Sequence, residues 1–248
     1  MAAMINDNDI MIFPETEQLF YFAAADFKER VNKAVNEKGF FSVVLSGGNT
    51  PKAFYEILTT NPQYSNDIPW SKIRFFFGDE RYVPLDNELS NYHMTVLNLF
   101  SKLNIDPDNI FPIATSFEDP EEAARNYAEI IKPQLPFDLI YLGLGSDGHT
   151  ASLMPESEVV ENIMLTTENR LMASLYLPSQ KMHRITMTSA AINANSQIIF
   201  MVSGTEKALA LKEVLYGKFD PLHFPAQLIQ CKFAKNIWLI DQAAGELL

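Results

Sequence analysis

Between Glu15 and Lys38 the apolar residues Leu19, Phe20, Ala23, Phe27, Val31 and Val35 recur at intervals of three and four, the spacing that gathers side chains on one face of a helix. Gly39 follows where a helix C-cap belongs. The period then changes. Phe40 to Leu45 is a short, almost wholly apolar run of aromatic and β-branched residues, which suits a strand buried on both faces of a parallel sheet. After Ser46-Gly47-Gly48, Thr50 is the expected N-cap of a helix with Pro51 at its first position and Phe54, Tyr55 and Leu58 as its buried stripe. The same unit recurs as a strand at Ile73 to Phe77, helices from Ser90 through Phe100 and from Pro120 through Ile131, and a strand at Phe137 to Leu142. Further strands are expected at Leu171 to Leu177, Ile198 to Val202 and Ile237 to Ile240, with a helix from Glu206 to Tyr216 between the last two. This alternation predicts an α/β fold with an open, mostly parallel, Rossmann-like sheet and helices on both faces. No linker, charge block or fixed-period repeat interrupts it, so one domain over residues 1–248 is expected.

Composition narrows the function classes. With 47% hydrophobic and 20% charged residues the chain is of ordinary globular type, which excludes disordered and fibrous readings. Thirty-one acidic against nineteen basic residues give a net charge of −12, so neither nucleic acid nor an anionic membrane is expected as a partner. Met1 to Asp7 carry no basic segment leading into an apolar stretch, and Asp7 and Asp9 also speak against a transit peptide. Cys231 is the single cysteine, which excludes an intrachain disulfide and a Cys-rich metal site. A cytoplasmic protein is expected, as a monomer or small homo-oligomer.

In sheets of this kind ligands bind beyond the carboxyl ends of the strands, and three loops at such positions carry chemistry. Ser46-Gly47-Gly48-Asn49-Thr50-Pro51 joins a buried strand to a helix. Its glycines allow close backbone approach, and free amides at the helix start favour an anion, although no Walker Lys is present. The bland alternative is an ordinary tight turn. Gly78-Asp79-Glu80-Arg81-Tyr82 sets three charges at the end of an aromatic strand. This reads either as a solvated turn with a local Glu80–Arg81 pair, or as an Arg81 fork aimed at a phosphate with Glu80 fixing its orientation. The third loop, Gly143-Leu144-Gly145-Ser146-Asp147-Gly148-His149-Thr150, satisfies G-x-G-x-x-G after a strand. Pro155, seven residues past Gly148, would break a long dinucleotide-binding helix, so a nicotinamide cofactor is not expected.

Of the four histidines, His149 alone lies in a Gly-rich loop at a strand's carboxyl end beside an acid, a position from which it can act as a base near neutral pH. His93 falls within a helix, while His183 and His223 read as structural or surface residues. Asp147 either supports the imidazole or satisfies local turn amides. Ser46 is not in a G-x-S-x-G nucleophile elbow, so direct attack by water is preferred over a seryl intermediate.

Together these segments resemble the 6-phosphogluconolactonase family, part of a wider group with the glucosamine-6-phosphate deaminases and isomerases. The resemblance also takes in Ser90-Asn91-Tyr92, His183-Arg184-Ile185-Thr186 and Ser203-Gly204-Thr205-Glu206-Lys207, and so spans most of the chain. His149-Thr150-Ala151-Ser152-Leu153-Met154-Pro155 is similar to the lactonase pattern, whereas the deaminases continue Ile-Ala-Phe-Asn-Glu-Pro; Asp79-Glu80-Arg81 likewise contrasts with their Asp-Glu-Tyr. Asn49 stands where Ser is common and Met154 where Phe is common. What the resemblance implies is hydrolysis of 6-phospho-D-glucono-1,5-lactone to 6-phosphogluconate, a step of the oxidative pentose phosphate pathway, with no metal or organic cofactor. It further implies that His149 and Asp147 serve catalysis. The phosphate would be held by Arg81 and the Ser46, Gly47, Gly48, Asn49 and Thr50 loop, with Arg184 and Lys207 completing a positive pocket. Because the overall charge repels the substrate, a basic cluster must dominate locally, within a Debye length of about 8 Å. The rival readings are a deaminase or isomerase on the same fold and a non-catalytic sugar-phosphate sensor, which would need no Asp147-Gly148-His149.

Overall fold

The computed structural model describes residues 8–165 and 170–248; the sequence reading of Met1 to Asp7 lies outside them. In chain order the elements are β1 (Asn8–Phe13), α1 (Thr16–Lys38), β2 (Phe41–Leu45), α2 (Asn49–Thr60), α3 (Pro62–Ser65), β3 (Ile73–Phe77), β4 (Asp79–Arg81), α4 (Asn91–Asn98), α5 (Pro120–Ile131), β5 (Leu139–Leu142), α6 (Glu158–Leu165), β6 (Met172–Leu177), β7 (Met182–Met187), α7 (Ser189–Asn193), β8 (Ile198–Val202), α8 (Ala208–Tyr216) and β9 (Asn236–Asp241). Six strands form a parallel sheet in the order β1-β9-β8-β5-β2-β3. The other three form a small antiparallel sheet, β4-β7-β6.

The central strands are buried along their whole length, as their unbroken apolar runs require. Alternation of side chains along β3 serves both faces of the sheet. Phe75 packs on Trp70 and Phe100, on the side where Phe27 of α1 meets Phe41, Phe54 and Tyr141, while Phe76 stacks on Phe111 and meets Phe137 at a tilt. Helices thus cover both faces, with α1 and α2 on one and the return connections bearing α5 and α8 on the other, as right-handed crossovers demand.

The helix ends follow local chemistry. Gly39 closes α1 at φ 86°, its N–H bonded to Val35 O. Ser90 and Asp119 cap α4 and α5 through their side chains. α2 begins one residue before its expected cap, so that Gly48, at φ 103°, precedes the helix and Pro51 lies inside its first turn.

Two features depart from expectation. β1 pairs at the sheet edge with β9, although its short mixed pattern gave no strand signal. The expected strand at Leu171 to Leu177 forms, but in the antiparallel sheet with β7. That small sheet carries Arg81 and Arg184 to the parallel sheet's carboxyl edge. There the chain leaves β2 toward β3 on one side and leaves neighbouring β5 toward β8 on the other, the reversal of strand order at which open α/β sheets form a crevice. Among the described residues no helix is long and apolar enough to cross a membrane.

Candidate active site

A cavity of about 710 Å³ occupies this crevice. It is lined by Ser46, Gly47, Gly48, Asn49 and Thr50 from the loop after β2, by Gly143, Leu144, Gly145 and His149 from the loop after β5, and by Arg81, Arg184 and Lys207. Every expected site residue except Asp147 therefore borders one space, and Asp147 touches it through the imidazole.

Asp147 Oδ1 lies 2.5 Å from His149 Nδ1 and also accepts the His149 backbone N–H at 3.2 Å. The imidazole holds the Asp147 carboxyl down at about 2, the side-chain hydrogen bond being the largest cause, so it is ionised at neutral pH. A carboxylate on Nδ1 fixes the proton there and leaves Nε2 as the basic nitrogen. One oxygen thus makes both contacts that the sequence left as alternatives, to the ring and to the turn amide. The pair needs Gly145, because any Cβ at that position would overlap the ring and crowd the carboxylate. No helix opens after Gly148, as expected from Pro155; the backbone turns there at φ 84° and Gly148 O accepts from Ala226 N.

The loop after β2 presents the N-terminus of α2, a helix of 12 residues whose first amides have no intrahelical partner. Ser46 is largely committed elsewhere. Its hydroxyl donates to Tyr141 O at 2.6 Å and its carbonyl accepts from Tyr55 Oη at 2.9 Å. It therefore braces the loop, and its hydroxyl proton is not free for an anion. Thr50 Oγ1 meets Ser203 Oγ at 3.0 Å, tying this loop to the one after β8.

Arg81 and Arg184 occupy facing positions on β4 and β7, so their side chains leave the same face of the small sheet. Arg81 donates through Nη1 to Leu89 O and Arg184 through Nη2 to Gln180 Oε1, both at 2.7 Å. The Nε of each is buried without an acceptor among the described residues. Burial, followed by the proximity of Arg81, lowers the Arg184 pKa against the opposing pull of Asp79. Both readings of Glu80 require correction. It neither sits on a solvated turn nor pairs with the Arg81 guanidinium. At 1% exposure it accepts from the backbone N–H of Arg81, Asn91 and Tyr92 and from Ser90 Oγ, so the carboxylate caps the start of α4.

The expected basic dominance also needs refinement. Three cations line the cavity, but so do the carboxylates of Asp79, Glu206 and Asp241. Two of these are turned to internal donors: Asp79 accepts from Ser152 Oγ and Asn91 Nδ2, and Asp241 from Thr16 Oγ1, Gly204 N and Ala244 N. The carboxylate oxygens of Asp79 and Asp241 are thus satisfied by protein donors. Asn91, Asp79 and Asp241 had no assigned role in the sequence reading. The first two lie within its motifs; Asp241, at a strand's carboxyl end, had only that position to mark it. No group of three or more His, Cys, Asp or Glu that could hold a metal occurs among the described residues.

Comparison with known proteins gives the family. The family model described as glucosamine-6-phosphate isomerases/6-phosphogluconolactonase matches residues 14–238. The chain is 40% identical over 227 residues to 6-phosphogluconolactonase of Synechocystis sp., covering 88% of this chain and 89% of that one. It is 34% identical to that of Thermotoga maritima over 89% and 93% of the two chains. The crystal structure of the Thermotoga maritima protein superposes with a TM-score of 0.80 at 31% identity, covering 94% and 99% of the chains. A monomeric glucosamine-6-phosphate deaminase, 20% identical with a TM-score of 0.82 over 97% and 100%, shares the fold.

Proposed function

The chain belongs to the glucosamine-6-phosphate isomerase/6-phosphogluconolactonase family, and from that premise we propose that it is an esterase of the lactonase branch, hydrolysing 6-phospho-D-glucono-1,5-lactone to 6-phosphogluconate. The whole chain works as one α/β unit, in the cytoplasm. The observation that carries the site assignment is that His149, its Nδ1 engaged by Asp147, borders the same cavity as Arg81, Arg184, Lys207 and the α2 N-terminus.

A lactone is a cyclic ester, so its hydrolysis requires water to add to the carbonyl carbon and the ring C–O bond to break. His149 Nε2 takes a proton from the attacking water and returns it to the departing ring oxygen. Asp147 stays ionised, orients the ring and stabilises the imidazolium formed between the two transfers. The phosphate is bound by Arg81, Arg184, Lys207 and the amides of residues 47–50, of which the guanidiniums supply the strongest directional donors. Asn49 and Thr50 contribute as the first helical residues, and Ser46 as the brace beneath them.

The test is hydrolysis of freshly generated lactone, followed by coupled oxidation of 6-phosphogluconate, for wild type and His149→Ala against the spontaneous reaction. Acceleration by wild type that disappears in the variant is the expected result. A folded wild type with no acceleration would sink the assignment, and ammonia release from glucosamine 6-phosphate would move the activity to the deaminase branch.

A further inference from the structure

Gly47 is a glycine for a reason that its own backbone does not supply. Gly48, next to it, has φ 103° and occupies the left-handed region, whereas Gly47 does not. A Cβ at Gly47 would instead overlap Asn91 Oδ1. Asn91, at the start of α4, is 2% exposed, and its side chain fills the place where a side chain of residue 47 would go.

The orientation of that amide is determined. Asn91 Nδ2 donates to Asp79 O at 3.0 Å and to Asp79 Oδ1 at 3.2 Å. Turning the amide over would set its oxygen against two acceptors. Oδ1 is therefore held toward Gly47, buried and without a hydrogen-bond partner among the described residues. An acceptor buried in this way costs stability, and native folds rarely retain one without cause. Asp79, which keys the amide, also accepts from Ser152 Oγ at 2.6 Å and lies 3.7 Å from Arg184 Nη1. One carboxylate thus connects the loop after β2 through Asn91, the histidine loop through Ser152 and the cationic strand β7 through Arg184.

We propose that Asn91 is a positioning residue, whose amide, seated on Gly47 and keyed by Asp79, sets the anion-binding amides after β2 at their working distance from Arg184. This deepens the sugar-phosphate reading of the cavity and rests on it. The contact is steric, so the two residues are coupled: Gly47 tolerates no side chain while Asn91 is present, and tolerates a methyl group once Asn91 is cut back.

The experiment compares wild type, Gly47→Ala, Asn91→Ala and the double variant in lactone kinetics, thermal melting and titration with inorganic phosphate. Asn91→Ala is expected to raise KM roughly tenfold while kcat falls less than about threefold, because the phosphate site is displaced and the histidine pair is not. Gly47→Ala alone should raise KM further and lower the melting temperature. The double variant should be no worse than Asn91→Ala. Effects that multiply in the double variant would overturn the seat, and a lowered melting temperature with unchanged KM and phosphate affinity would reduce Asn91 to a structural role and overturn the proposal. If wild type fails to hydrolyse the lactone, the functional reading falls separately. Phosphate binding by the four proteins then still decides whether Asn91 sets the anion loop.

Discussion

Two histidine–aspartate pairs among the described residues sit on loops that touch each other. His149 Nδ1 meets Asp147 Oδ1 at 2.5 Å, and His223 Nδ1 meets Asp220 Oδ2 at 2.9 Å. The loops that carry them are joined: Ala226 donates to Gly148 O, Glu156 donates to Leu222 O, and a Cβ at Gly148 would press into Phe224. Their surroundings differ. His149 borders the cavity with three cations, while His223 is 54% exposed with a second carboxylate, Glu156, 3.7 Å from its Nε2. The difference teaches that a dyad alone is not a catalytic device. What separates the two is the cavity that His149 shares with Arg81, Arg184 and Lys207; among the described residues the second ring nitrogen of His223 has a carboxylate, Glu156, beside it.

The hardest test of this contrast removes the imidazoles one at a time. His149→Ala should lower kcat by about 10³-fold, the usual range for a lost general base, with little change in binding of 6-phosphogluconate by calorimetry. An equal loss of binding would mean that His149 holds ligand rather than moving protons. Asp147→Asn should follow, lowering kcat about 10- to 100-fold, because the amide can still touch Nδ1 but cannot stabilise the imidazolium. A variant as fast as wild type would reduce Asp147 to its backbone contact with residue 149.

The cations supply the second half of the contrast. Arg81→Ala should raise KM roughly tenfold or more and leave kcat within a few-fold, since a charge-assisted hydrogen bond to the phosphate is made in ground and transition states alike. A dominant fall in kcat would instead place Arg81 beside the reacting carbonyl.

How far these roles were legible follows from how local their causes are. The parallel sheet was readable because β2, β5 and β8 are unbroken apolar runs and α1 and α5 have clear periodicity and end signals. The loop residues that line the cavity were readable because Gly-rich turns at the carboxyl ends of strands mark where such a crevice opens. The small sheet was not, since β4 is only three residues, all charged, and its partner β7 lies a hundred residues onward. Glu80 shows why: Asp79-Glu80-Arg81 looks like a solvated turn until long-range pairing buries it and the start of α4 brings the donors. Asn91 and Asp79 were hidden for the same reason, as their function is a contact between segments distant in sequence.

The smallest expected effect belongs to the second pair and has a definite sign in pH. The hydrogen bond that His223 Nδ1–H donates to Asp220 is the main cause that raises the His223 pKa above its ordinary 6.5, with the charges of Asp220 and Glu156 adding to it. A group whose folded pKa is raised adds stability that is complete below its unfolded value and fades as pH rises through the folded one. His223→Gln should therefore lower the melting temperature slightly in mildly acid solution and leave it unchanged in alkaline solution, with the acid difference shrinking in high salt because the pair is exposed. Lactone turnover should stay within about twofold of wild type, as for a surface contact remote from the reacting atoms. A larger loss of turnover that appears in mildly acid solution and fades as the pH rises would show that protonated His223 holds the histidine loop in place through Glu156, and the two pairs would then be one coupled device rather than a catalytic pair and a surface one.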